Sequence, residues 1–335
     1  MSASTSRRPA APSPFLVLYD DADGGRPATT TLYNVADGVH RPCDIDDQRT
    51  KRSWVTSHGG WVLTWDSATL ATFLWNPYAA AAGETTNVAL PSFGRAPPDI
   101  EACCALSTGE PAAAAGGLFT VVMVEVDSNV LWYCHAGATS SSSPAWAKHE
   151  YDIGDERTIS GFTPCGGKLY YLIQPGMSYG VLEFSPDHQP VFTTVRAKPI
   201  RLFATAEDCM LVFSVFPVDV NGELHLVFIF KGEDCKAVVD VAVYRVDLEK
   251  RKHVRIRSIG DRAILVGGSN GFGGWCRASR HGLLPNSIYW VSPFDNRLHV
   301  YDLGEKTEEI RDPCKGVDDP SLYNTYAMIT YEDGF

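Results

Sequence analysis

Gly267-Gly268-Ser269-Asn270-Gly271-Phe272-Gly273-Gly274-Trp275 is the most conspicuous glycine run of the chain, and such runs can let a backbone cradle phosphate. A phosphate loop also needs a following Lys-Ser/Thr and a helix whose first amides face the anion. Here Cys276-Arg277-Ala278-Ser279 follows, so the run reads as a flexible loop between strands. Ser57-His58 sets a nucleophile beside a base, but neighbours on a strand point to opposite faces and no G-x-S-x-G elbow presents a serine. A turn ahead of a buried Trp61 accounts for that pair better. His225, amid Leu224, Leu226 and Phe228, and His299, between Leu298 and Val300, have no H-x-H, H-E-x-x-H or His-Cys companion. Both are assigned to the polar side of a strand rather than to a metal. Asp44, Asp46 and Asp47 begin like a calcium loop but lack its glycine and distal glutamate; with Asp318-Asp319 they read as solvated turns. No catalytic, cofactor-binding or metal-binding residue is assigned, and the expectation is a protein that is not an enzyme and uses no cofactor.

What remains is aromatic. Of the eight tryptophans, Trp54, Trp61, Trp65, Trp75, Trp132 and Trp290 suit packing between sheets, where each buries ~150–250 Å². Trp146, behind Ser140-Ser141-Ser142-Ser143-Pro144, and Trp275, in the glycine run, fall on expected loops. With Phe272 and Arg277 they form the candidate protein-binding residues, because exposed loop aromatics and arginines anchor partners.

The elements that must position these residues are strands. Phe15-Leu16-Val17-Leu18-Tyr19, Trp61-Val62-Leu63-Thr64-Trp65, Lys168-Leu169-Tyr170-Tyr171-Leu172-Ile173 and Ile288-Tyr289-Trp290-Val291 are short apolar or alternating runs bounded by turn residues. Phe119 to Val126 pairs with Val130-Leu131-Trp132-Tyr133-Cys134 through Asp127-Ser128-Asn129, and Met210 to Val215 faces Leu224 to Phe230 across Val218-Asp219-Val220-Asn221-Gly222. Alanine-rich Tyr78 to Gly83 and Pro111 to Gly117 are broken by Gly and Pro and read as loops. Modules begin near Gly59, Gly116, Gly166, Asp208 and Pro285, mostly about 40 to 60 residues apart, a spacing that overlaps a propeller's repeat. The fold expected is all-β: a single β-propeller of about six blades (five to seven), mostly four-stranded antiparallel sheets. A β-sandwich pair is the runner-up. Leu322 to Ile329 is expected to add a strand that closes the ring against the N-terminal module, which would protect otherwise unpaired edges. Residues 1–14, rich in Ser, Ala, Pro and Arg, are read as a disordered tail, and 15–335 as the propeller.

Twenty-nine basic residues against 40 acidic ones give a formal charge of -11, which repels phosphate backbones and argues against nucleic acid. The best basic patch, Lys250-Arg251-Lys252-His253 with Arg255 and Arg257, alternates with apolar residues like the solvated face of a strand. Nine scattered cysteines with no C-x-x-C pair read as free thiols in a reducing compartment, cytoplasm or nucleus; a transit role for the tail has weaker support. No apolar run reaches the ~18 residues of a membrane span.

Several segments, in order, resemble one plant family, the KIB-type F-box-associated β-propellers, long listed as a domain of unknown function. These are Pro14-Phe15-Leu16-Val17, Leu32-Tyr33-Asn34-Val35, Ser57-His58-Gly59-Gly60-Trp61-Val62-Leu63, Leu74-Trp75-Asn76-Pro77 and Leu90-Pro91. The strongest is Val243-Tyr244-Arg245-Val246-Asp247 leading to Ser258-Ile259-Gly260-Asp261-Arg262, followed by Pro285-Asn286-Ser287-Ile288-Tyr289-Trp290. The resemblance implies a protein-recognition scaffold whose partner is a regulatory protein. An F-box needs roughly 40 to 50 helical residues ahead of the propeller. Only Met1 to Pro14 precede the first strand here, so the expectation is a scaffold that does not itself join a ubiquitin ligase. The alternative is an enzyme or small-molecule binder using the propeller's central channel.

Overall fold

A computed structural model describes residues 14–20, 30–42, 51–56, 60–76, 87–93, 102–107, 118–125, 127–137, 145–154, 158–174, 176–200, 212–232, 237–267, 272–292, 295, 297–313 and 323–328. Period-two alternation becomes strands almost throughout, and the described strands pair into six sheets. The first holds β1 (Phe15–Asp20), β2 (Thr30–Asn34) and β3 (His40–Pro42). The second is β4 (Lys51–Val55), β5 (Val62–Asp66), β6 (Thr72–Trp75) and β7 (Val88–Leu90). The third is β8 (Cys103–Leu106), β9 (Phe119–Val124), β10 (Val130–Ala136) and β11 (Ala147–Glu150). The fourth is β12 (Thr163–Cys165), β13 (Lys168–Gln174), β14 (Ser178–Phe184) and β15 (Pro190–Arg196). The fifth has the longest strands, β16 (Val212–Val220), β17 (Glu223–Lys231) and β18 (Val238–Asp247), with β19 (Lys252–Ile256) at its edge. The sixth contains β20 (Arg262–Gly267), β21 (Phe272–Arg277), β22 (Ser287–Val291), β23 (Leu298–Asp302) and β24 (Thr307–Arg311). Strand β25 (Tyr323–Met328) returns to the first sheet and pairs antiparallel with β1, Phe15 opposite Met328, which is the closure expected from the sequence.

The core explains why these sheets stand in a ring. Alternate residues of one strand go to two different clusters, so a strand buried on both faces joins two sheets. In β9, Phe119, Val121 and Met123 pack with Trp54, Trp61 and Trp65 of the second sheet, while Val122 and Val124 pack with Phe162, Leu169 and Tyr171 of the fourth. In β17, Leu226, Phe228 and Phe230 pack with Tyr179, while Val227 and Ile229 pack with Ile264, Ile288 and Trp290. Leu16, Tyr33 and Val35 meet Leu265, Tyr289 and Val300, and Phe15 meets Val55 and Val62, carrying the circuit from the sixth sheet through the first to the second. Each sheet is thus wedged between two neighbours, and the chain is an all-β propeller. Burying both faces is why its central strands read as nearly continuous apolar runs. Cys103, Cys104, Cys134, Cys165 and Cys276 are buried free thiols, and burial pushes the Cys103 thiol up to about 11, as suits small core hydrophobes.

Several expectations need correction. The strand expected to end near Val215 runs to Val220, because Asn221 and Gly222 both adopt positive φ and make a two-residue hairpin. The glycine run is not one long loop, since Phe272 to Arg277 is strand β21, paired with β20 from Arg262↔Arg277 to Gly267↔Phe272. Strand β21 makes the sixth sheet five-stranded, lies beyond β20 at its inner edge, and packs on β16. The fit is tight: a Cβ on Gly273 would lie 2.6 Å from the Pro217 carbonyl oxygen. A one-turn helix, α1 (Ala278–His281), then leads toward β22, which runs parallel to β20. The two histidines placed on polar strand faces are buried, for reasons given below. Residues 1–13, the alanine-rich segments, Ser57-His58, Asp44, Asp46, Asp47 and Asp318-Asp319 lie outside the described residues. Among the described residues no helix is long and apolar enough to cross a membrane.

Candidate functional site

The four residues singled out for partner binding are not a cluster of exposed loop side chains. Trp146 immediately precedes β11, and its ring stacks on Phe93 with centroids 4.1 Å apart and 18° between planes. Its Nε1 donates to the Pro91 carbonyl at 2.8 Å. The ring is half-buried against the core between the second and third sheets, a structural role that the neighbouring serines gave no sign of. Trp275 lies within β21, packs partly buried against the Ile264 and Trp290 cluster, and carries the Arg262 guanidinium 5.3 Å from its ring centroid. Phe272 begins β21, five residues from Arg277, which ends that strand with an exposed side chain; hydrogen bonds from Ser279 hold the Asp261 carboxyl low, and the Arg277 charge adds to them. Trp275 and Arg277 therefore belong to a strand that packs on β16, and Trp146 belongs to a different wedge of the ring.

The histidines likewise resolve into structural groups. His299 is buried and stacked on Trp290, centroids 5.0 Å apart. Its Nδ1 lies 2.6 Å from Glu308 Oε1 and its Nε2 3.2 Å from both Asp295 oxygens, so two carboxylates make its burial tolerable. His225 is buried with Nδ1 donating to the Glu223 carbonyl at 2.9 Å, and desolvation lowers its pKa. Among the described residues no three His, Cys, Asp or Glu side chains converge as a metal would require.

A different region has the form of a binding site. Between the fourth sheet and the β18–β19 turn of the fifth lies a solvent-open cleft of about 800 Å³. Ile173 and Gln174 at the end of β13, Met177 and Ser178 across its turn, and Thr194, Val195 and Arg196 at the end of β15 form one wall. Ala197 and Pro199 form a strap, Ile153 comes from the segment after β11, and Arg251 from the β18–β19 turn. The strap is fixed by its backbone. Ala197 N–H donates to Met177 O at 2.8 Å, Ile200 N–H to Gly176 O at 3.2 Å, and Lys198 N–H to Arg251 O at 2.9 Å. His253 Nδ1 donates to Lys198 O at 3.0 Å, which leaves Nε2 to accept from the Tyr179 hydroxyl. Burial lowers the His253 pKa, with the Lys198 carbonyl opposing, and raises that of Tyr179, so both groups hold the strap in neutral form. Arg196, held opposite Ser178 in the ladder, and Arg251 are both exposed, and among the described residues neither guanidinium pairs with a carboxylate. The arrangement offers apolar surface beside two free positive charges, in a protein whose net charge is -11.

Sequence reasoning noticed the Lys250 to Arg257 segment but had no means of joining it to residues 173–199. The one signal was its density of positive charge in an acidic chain.

The similar solved structures are distant. A luciferin-regenerating enzyme matches with 11% identity over 89% of this chain and 82% of its own, TM-score 0.35. Apo AztD from Citrobacter koseri matches with 11% identity over 89% of this chain and 94% of its own, TM-score 0.35. The Aleuria aurantia lectin in complex with alpha-methyl-L-fucoside matches with 8% identity over 95% of this chain and 96% of its own, TM-score 0.30. Comparison with curated proteins gives no match. The sequence itself is decisive: residues 32–314 match the KIB1-4 beta-propeller family along the ordered strands and wedges described above, and the chain belongs to that family.

Proposed function

We propose that the protein is a non-enzymatic scaffold, a propeller of six blades with one blade per sheet, that recognises a regulatory protein through its rim. The observation that carries this reading is the cleft of about 800 Å³, with walls that mix apolar and polar side chains, a hydrogen-bonded strap and two guanidiniums that no described carboxylate neutralises. Such a surface is costly to leave bare unless something covers it. Strand β21, set at the inner edge of its sheet and packed on β16, supports placing recognition at the rim rather than in a central channel, the setting of the alternative enzyme or small-molecule reading. Buried free thiols support a reducing compartment, cytoplasm or nucleus. Proximity labelling in cells tests the reading. A recurrent set of protein neighbours is the expected result. A protein that instead carries a bound metabolite in native mass spectrometry and turns it over would overturn it.

A further inference from the structure

We propose that the cleft between β15 and the β18–β19 turn takes an acidic peptide segment of the partner, seated by apolar side chains and clamped by Arg196 and Arg251. This deepens the scaffold reading and rests on it. Three exposed cations meet here, Arg196 and Lys198 from one segment and Arg251 from a turn more than 50 residues further along, joined by the Lys198 N–H to Arg251 carbonyl bond and by the His253 side chain donating to the Lys198 carbonyl. None of the three has an ion-pair partner among the described residues. The nearby Asp247 of the same turn is already engaged by Lys250 at 3.5 Å, and Asp152, beside Ile153, accepts from the Gly154 N–H at 2.8 Å. Positive charge therefore gathers here against the protein's net charge of -11, and long-range repulsion opposes any anion that lacks a local match.

The chemistry of the walls selects among anions. Ile173, Met177, Val195 and Pro199 present apolar surface directly beside the guanidiniums. A guanidinium grips a carboxylate through two parallel N–H bonds, and a polypeptide can supply carboxylates and apolar side chains at short, regular spacing. A nucleic acid would bring a dense row of phosphates to a globally acidic surface and little to fill the apolar wall.

Fluorescence anisotropy with a labelled peptide alternating Glu and Leu tests this on the full chain, beside the same peptide with Lys in place of Glu and a short duplex DNA. The Glu peptide is expected to bind the wild type, to bind more tightly at low salt, and to weaken about tenfold or more in Arg196→Glu/Arg251→Glu. Arg52→Glu, on β4 of another sheet, is expected to leave its affinity unchanged. Both variants change exposed side chains, and circular dichroism checks that they fold. No binding of the Glu peptide, equal affinity in the double variant, or tighter binding of the DNA would overturn the proposal. Proximity labelling separates it from the scaffold reading. A double variant that keeps every protein neighbour of the wild type sinks the cleft alone, whereas a wild type without protein neighbours sinks the scaffold itself.

Discussion

The inner edge of the sixth sheet and the outer cleft of the fourth are built from similar strands, yet one is closed and the other open. At the inner edge, β21 presses on β16 so closely that even a methyl on Gly273 would collide with the Pro217 carbonyl. At the cleft, a strap bridges β15 and the β18–β19 turn, leaving about 800 Å³ and two guanidiniums without an ion pair among the described residues. Strands gathered at a common axis run out of room, while strands at the rim diverge. Glycine serves the first setting and long charged side chains the second. Of these two regions, the open space is therefore at the rim.

The largest effect should come from breaking the closed region. Gly273→Val forces two backbones apart and is expected to cost about 3 kcal/mol, seen as a lowered thermal midpoint. An unchanged midpoint would mean that β21 does not pack on β16 as described. Next is Trp146→Ala, expected to cost about 2 kcal/mol through lost stacking on Phe93 and the lost bond to Pro91. If Trp146 were instead a free anchor, denaturant titration would register no change. A smaller effect is pH-dependent. The His225 pKa is lowered in the fold by desolvation, so between the unfolded value near 6.5 and the lower folded value the unfolded chain binds more protons. Stability is therefore full above that window and declines as pH falls through it. His225→Gln should flatten this slope in urea melts performed across that range. Smallest of all, Arg196→Glu/Arg251→Glu should change stability by no more than ~0.5 kcal/mol, since both side chains are exposed and make no ion pair among the described residues. A large loss there would turn the rim cations into structural elements and erase the contrast.

What was legible in the sequence follows the same division. Residues buried on both faces announce themselves: Phe119 to Val124 and Ile288 to Val291 could hardly be anything but strands. The closing strand after Leu322 was equally legible, because an open ring leaves an edge unpaired. Strand β21 was hidden because Gly273-Gly274 has poor strand propensity, and only contact with β16 and β20 makes it one. The packing of Trp146 was not legible because its partner, Phe93, is 53 residues away. His299 read as lying on the polar side of a strand, and its burial was hidden because the carboxylates that permit it, Asp295 and Glu308, lie in a turn and on another strand. The cleft was beyond local reading altogether, since its walls join the fourth sheet to the segment after β11 and the β18–β19 turn, and no short segment carries its pattern.

The pairing of β1 with β25 has a consequence in time. Leu16 is made long before Ala327, its partner across the ladder, so its strand acquires its second neighbour late. Closing a loop of that length costs entropy before any contact compensates, so ring closure belongs among the last events of folding. Until then the first sheet carries an open hydrogen-bonding edge in a crowded cell, and the growing chain is at its most vulnerable to pairing with the wrong strand.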